Sequence, residues 1–119
     1  MKLRLENLRP GLRSQREALA RCLEAIDRVR PLRAVCLFGS HARGDARPDS
    51  DVDLCLVAEG AERQLEVAAK FCDAIWDIRP KPAFTLIPIT PQRLAAKRAG
   101  GDHFFATVLK EGVLLAAQD

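Results

Sequence analysis

Short apolar runs alternate along this chain with longer stretches whose apolar residues recur every three or four positions. That is the pattern of strands interleaved with helices. Residues Ala34-Val35-Cys36-Leu37-Phe38 form a short, partly β-branched run that reads as a buried strand. From Asp51 to Val57 the pattern has period two. Asp51, Asp53, Cys55 and Val57 take one face, and Val52, Leu54 and Leu56 take the other, which enters the core. Phe84 to Ile89 reads as a third strand, and Val113 to Ala116 as a strand at the sheet edge.

Helical spacing fills the intervals. Ser14-x-x-Glu17 reads as a capping box, opening a helix whose apolar stripe is Leu19, Cys22, Leu23 and Ile26, with Pro31 ending it near Arg30. Glu62 to Ile78 reads as a second helix that buries Leu65, Ala68, Ala69, Cys72, Ile75 and Trp76 and leaves Lys70 and Asp73 off the stripe. Thr90 is placed as N-cap of a helix with Pro91 at its first position, stopped by Gly100-Gly101. Asp102 then caps a last helix with Phe104, Phe105, Val108 and Leu109 on its buried side, closed by Gly112. Residues 1–8 fit a short strand or a helical turn equally well before the break at Pro10-Gly11. The expected fold is α/β (α+β), a mixed sheet with flanking helices.

Composition narrows the function. A chain of 119 residues with 48% hydrophobic content supports one domain, residues 1–119, with a modest core. The net charge of +3 is too mild to mark a nucleic-acid surface, so no direct nucleic-acid binding is expected. Cys22, Cys36, Cys55 and Cys72 are widely spaced and form no Cys-x-x-Cys pair, which argues against zinc and for reduced thiols in the cytoplasm. No apolar run approaches a membrane span, so no membrane partner is expected.

The chemistry is concentrated between Leu37 and Leu56. Gly39, directly after the first strand, permits a tight turn and close approach of a ligand to the backbone. Ser40 then offers a hydroxyl and an N–H at a helix start, and this combination suits phosphate oxygens. Asp51 and Asp53 lie two apart, so both carboxylates converge on one site about 7 Å apart along the strand. Neighbouring carboxylates repel unless a cation lies between them. Mg²⁺ prefers oxygen ligands and is held by one or two carboxylates together with substrate phosphates. A phosphate cradle opposite a metal clamp is the equipment for moving a nucleotide. Arg43, one helical turn past Ser40, can hold a triphosphate oxygen. Asp45 and Asp49 read as solvated loop carboxylates; His41 and Arg47 receive no role.

The spacing Gly39-Ser40, ten residues, Asp51-Val52-Asp53 resembles the signature of the DNA polymerase beta-like nucleotidyltransferase superfamily. The run Ser40-His41-Ala42-Arg43-Gly44 and the pair Ser50-Asp51 are similar to its minimal nucleotidyltransferase (MNT) branch. The resemblance implies a polymerase beta-like core and a nucleoside triphosphate, ATP, bound with Mg²⁺. It implies catalytic and metal-holding roles for Asp51 and Asp53, and nucleotide contacts from Gly39, Ser40, Arg43 and Ser50. It further implies transfer of AMP to a protein, as in the antitoxin half of toxin–antitoxin pairs. There the partner is a small helical HEPN protein, modified in some members on a tyrosine. This chain contains no tyrosine, so a tyrosine acceptor belongs to another protein, although a second copy of the chain is also allowed as a partner.

The chain departs from the family at one position. Aligning Thr90-Pro91 with the family's Thr-Pro puts Thr85 where a third carboxylate stands. A hydroxyl is a weak metal ligand and no base, so turnover is put in doubt more than nucleotide binding. Two readings follow: a slow or partner-completed enzyme, or a nucleotide-binding antitoxin that acts by contact. Transfer to a small molecule such as an aminoglycoside is a third, disfavoured because so short a chain shows no added acceptor-binding segment.

Overall fold

The computed structural model describes residues 1–118. Strands β1 (Lys2–Leu3), β2 (Leu32–Phe38), β3 (Val52–Ala58), β4 (Phe84–Ile89) and β5 (Val113–Ala117) form one mixed sheet in the order β1-β5-β2-β3-β4. Helices α1 (Arg16–Val29), α2 (Ser40–Arg43), α3 (Gln64–Ile75), α4 (Pro91–Ala99) and α5 (His103–Glu111) connect or cover it. Only β3 and β4 run parallel, and their crossover is α3; the other neighbours are antiparallel. The α+β class expected from the pattern is the class found.

Both faces of the sheet are covered, unequally. Val35, Leu37, Val52, Leu54 and Leu56 pack with Leu19, Leu23 and Ile26 of α1 and Phe71 of α3. The opposite face of β3 and β4, through Cys55, Val57 and Ile89, packs with Phe105 and Val108 of α5 in a smaller cluster. The predicted parity of β3 therefore holds. Asp53 shares its face with Cys55 and Val57, but lies beyond the end of the smaller cluster and is half-exposed.

Several expectations fail for identifiable reasons. The Ser14 capping box does not form. Pro10–Gln15 winds as a 3-10 helix with Leu12 buried, Gln15 takes the N-cap position of α1, and no side chain caps it. Proline at the start of that turn begins the winding four residues early, which leaves Ser14 inside it. The ambiguous first eight residues split into β1 and a 3-10 turn at Leu5–Asn7. The last strand is not an edge: β5 lies between β1 and β2, with Leu115 and Ala116 buried.

Helix α3 keeps Ile75 of the predicted stripe buried but turns most of the rest outward. Val67, Phe71 and Ile75 are buried, while Leu65 is 89% and Trp76 66% exposed, and Cys72 is exposed as well. At 100° per residue, positions 65, 69, 72 and 76 line up as regularly as 67, 71 and 75, on roughly the opposite side. Periodicity offers both stripes, and the one carrying Phe71 faces the sheet. On α5 the split is similar: Phe105 and Val108 are buried, Phe104 and Leu109 partly exposed. The remaining caps form as expected. Thr90 Oγ1 accepts from the Arg93 N–H at 3.0 Å, and an Asp102 carboxylate oxygen accepts from the Phe105 N–H at 3.0 Å. Among the described residues no helix is long and apolar enough to cross a membrane.

The choice of stripe has a direct energetic consequence. Phe71→Ala is expected to cost about 3–5 kcal/mol in urea unfolding. Trp76→Ala and Leu65→Ala are expected to stay within about 0.5 kcal/mol of wild type. A Trp76→Ala loss as large as that of Phe71→Ala would reverse the assignment.

Candidate active site

The site starts from the end of β2. Phe38 is the last residue of that strand, and Gly39 follows with φ +74°, a left-handed conformation that favours glycine. A Cβ at Gly39 would collide with the Asp53 carboxylate. The bend and the acid are thus in contact, as the motif spacing predicts. Ser40 then begins α2, whose one turn is closed by Ala42 and Arg43 N–H groups donating to the Gly39 carbonyl at 3.0 and 3.1 Å.

Strand register assembles the rest. Phe38 pairs with Asp53 across the antiparallel β2–β3 ladder, and Asp53 pairs with Thr85 across the parallel β3–β4 ladder. Directly paired residues share a sheet face, so Phe38, Asp53 and Thr85 form one row. Asp51 lies just before β3, and the Thr85 hydroxyl donates to its Oδ2 at 3.4 Å. The hydroxyl therefore lies between the two acids. No third carboxylate joins them among the described residues, where no cluster of three or more ligating His, Cys, Asp or Glu side chains is found. Two carboxylates with a hydroxyl offer only hard oxygens. That set fits a divalent cation such as Mg²⁺ if substrate phosphates complete the shell.

Electrostatics mark Asp53 as the unusual acid. Burial pushes its carboxyl above the ordinary value of 3.8; the neighbouring Thr85 hydroxyl pulls it down, the Asp51 charge pushes it up, and His41 and Arg43 pull it down. The net shift is upward, because burial and the like charge of Asp51 outweigh the groups that favour the anion.

The other predicted contacts are engaged with the protein itself. Arg43 donates from Nε to Asp45 Oδ2 and from Nη1 to Glu111 Oε2, both at 3.3 Å, so its guanidinium is shared between two carboxylates rather than open toward a phosphate. Asp45 is accordingly paired, not merely solvated. The Ser50 hydroxyl accepts from the Arg47 N–H at 2.9 Å and closes the turn before β3. Arg47 supplies that backbone donor, a role its side chain could not reveal.

Two residues that sequence reasoning left unassigned hold the loop. His41 Nε2 lies 3.1 Å from the Ser50 carbonyl oxygen. A carbonyl only accepts, so the proton is on Nε2, and the ring clasps α2 to the residue preceding Asp51. Arg9 Nε donates to the Ala42 carbonyl and ties the start of the Pro10–Gln15 3-10 segment to α2. No spacing rule flags either residue; the partners are 9 and 33 positions away. A groove of about 590 Å³ lies behind the loop, lined in part by Arg9, Leu12, His41, Arg47, Val52 and Pro82. Val52 points to the opposite face of the strand from Asp53, so the acids themselves sit on an open shelf outside this groove.

Two outcomes follow. Because its carboxyl is raised, Asp53 favours folding below pH 3.8, and that contribution is lost as pH rises through the raised value. Metal-free Asp53→Asn should therefore melt above wild type at pH 7, and the gap should close as the pH falls toward 3.8. Equal melting at pH 7 would contradict the shift. His41→Ala should speed amide exchange across residues 45–51 by about 5-fold or more, the loss of one hydrogen bond of about 1 kcal/mol. Exchange elsewhere in the sheet should be unchanged, and a loop that exchanges as in wild type would remove the clasp.

A family model described as a nucleotidyltransferase domain matches residues 19–96, which span α1 through most of α4 and include every motif residue. A crystal structure from Sulfolobus solfataricus, provisionally assigned as a nucleotidyltransferase, is similar at TM-score 0.51 and 23% identity, covering 89% of this chain and 86% of that one. A toxin–antitoxin structure with AMP-PNP shows TM-score 0.49 and 19% identity over 82% of this chain and 73% of that one. No curated protein matches the chain. A model that spans well over half of the residues settles the family: the chain belongs to the nucleotidyltransferase domain family, as a minimal member.

Proposed function

We propose that this chain, taken as one cytoplasmic domain of residues 1–119, transfers AMP from ATP to a hydroxyl of a protein partner. The partner class is the small helical HEPN protein of an MNT toxin–antitoxin pair. The observation that carries the reading is the contact of the Gly39 bend with the Asp53 carboxylate, with Asp51 and Thr85 alongside. Gly39 and Ser40 hold the β- and γ-phosphates. Asp51 and Asp53 hold Mg²⁺, which when bound offsets the charge of the triphosphate. Arg43 contributes its charge from the flank, and Ser50 positions Asp51 through the turn it closes.

The reaction forms a bond from the acceptor oxygen to the α-phosphorus and breaks the bond to the β-phosphate, releasing pyrophosphate. The hydroxyl proton must leave. In this chain Thr85 stands beside Asp53 and cannot take it up, so either transfer is slow, with water as the acceptor, or the partner supplies the base. That same observation favours a second reading, in which the protein binds nucleotide and neutralises its partner by contact with no turnover.

One experiment separates the two. The protein is incubated with Mg²⁺, ATP labelled on the α-phosphate and the helical protein encoded beside it. Transfer predicts label on the partner, reduced more than about 100-fold in Asp53→Asn, since even changes behind the metal ligands cost 10–100-fold. Thr85→Asp should speed labelling in the enzyme. No label, with neutralisation intact in Asp53→Asn, establishes the contact reading.

A further inference from the structure

The row Phe38–Asp53–Thr85 has an aromatic end, and that end continues onto α5. The Phe104 ring meets Phe38 edge-on, with centroids 5.7 Å apart and planes at 86°, and meets Phe105 at 5.1 Å and 90°. The two neighbouring phenylalanines of α5 have different fates. Phe105 is buried against Val57 and Ile89, and Lys97 lies over its ring at 6.0 Å. Phe104 is held in place by two edge-to-face contacts yet remains 48% exposed. A large ring fixed by packing, with its surface still open to water, is a costly feature unless something covers it. It stands over the strand residue that pairs with Asp53 and immediately precedes the Gly39–Ser40 bend.

We propose that Phe104, backed by Phe38, is the platform on which the base of the bound nucleotide stacks. This rests on the reading of Gly39, Ser40, Asp51 and Asp53 as the phosphate and metal site. The occupant follows from continuity: a nucleotide whose phosphates lie at the bend directly after Phe38 has its nucleoside end within reach of the rings above that residue. Phenylalanine has no hydrogen-bonding group, so the platform reads area and not base edges. It therefore favours purines over pyrimidines and does not separate adenine from guanine.

The test uses the whole chain with Mg²⁺ and calorimetric titration of non-hydrolysable ATP and GTP analogues and of inorganic tripolyphosphate. Wild type should bind both analogues more tightly than tripolyphosphate. Phe104→Ala should weaken both analogues by about 5- to 100-fold, the range of one base–aromatic stack, and leave tripolyphosphate within about twofold. Phe104→Trp should retain the affinity for both analogues. If Phe104→Ala binds the analogues as wild type does, or loses tripolyphosphate equally, the platform is overturned while the phosphate site stands. A wild-type protein that binds none of the three probes overturns the phosphate site and the platform with it.

Discussion

Everything about this site depends on how closely the backbone at Gly39 approaches the carboxylate of Asp53. The space a side chain would occupy is the space the acid uses. Because Gly39 has no Cβ and takes φ +74°, β2 can end in a bend that lays the first amides of α2 beside β3. Any other residue would push the bend and the acid apart or strain the turn. The ladder behind it, with Phe38 opposite Asp53 and Thr85 beside it, fixes the acid on the third side.

The rest of the fold serves that contact. The face of Val52, Leu54 and Leu56 is sealed by α1 and α3, and the other face of β3 is sealed by α5 only from Cys55 onward. The sheet is thus closed where stability is needed and open at one end, where Asp53 and Thr85 meet water. The acid is left with its carboxyl raised by burial and by the charge of Asp51. A carboxyl raised in this way is unfavourable to the fold at neutral pH, a cost in stability of the kind that functional sites carry. Thr85 softens the arrangement by donating to Asp51, and in doing so occupies the place where a carboxylate would add a third negative charge.

The loop between the two halves is held by contacts that have no sequence signature. The His41 clasp on the Ser50 carbonyl and the Ser50 turn with Arg47 set where Asp51 begins. Arg43 shows the converse. Its position in the motif suits a phosphate ligand, but Asp45 and Glu111 share its charge, and Glu111 comes from the far end of the chain. A side chain's neighbours across 68 positions are invisible to local pattern, so its role could not be read from the motif alone.

What the sequence determined by itself was most of what depends on local chemistry, the Ser14 capping box excepted. Period-two alternation placed Asp53 and the leucines of β3 on opposite faces; the spacing from Gly39 to Asp53 announced that the bend and the acid meet; Thr90 and Asp102 announced their caps. What only the tertiary structure decided was which of two equally regular stripes α3 turns inward, that β5 sits inside the sheet, and that Pro10 draws Leu12 into the core ahead of Ser14. In each case the alternatives satisfy the same local rules, and the choice is made by a partner surface distant in sequence: the sheet selects Phe71 over Trp76, and the two-residue β1 turns β5 into an interior strand. Local chemistry can name the groups that act, but only packing decides which of them are free to do so.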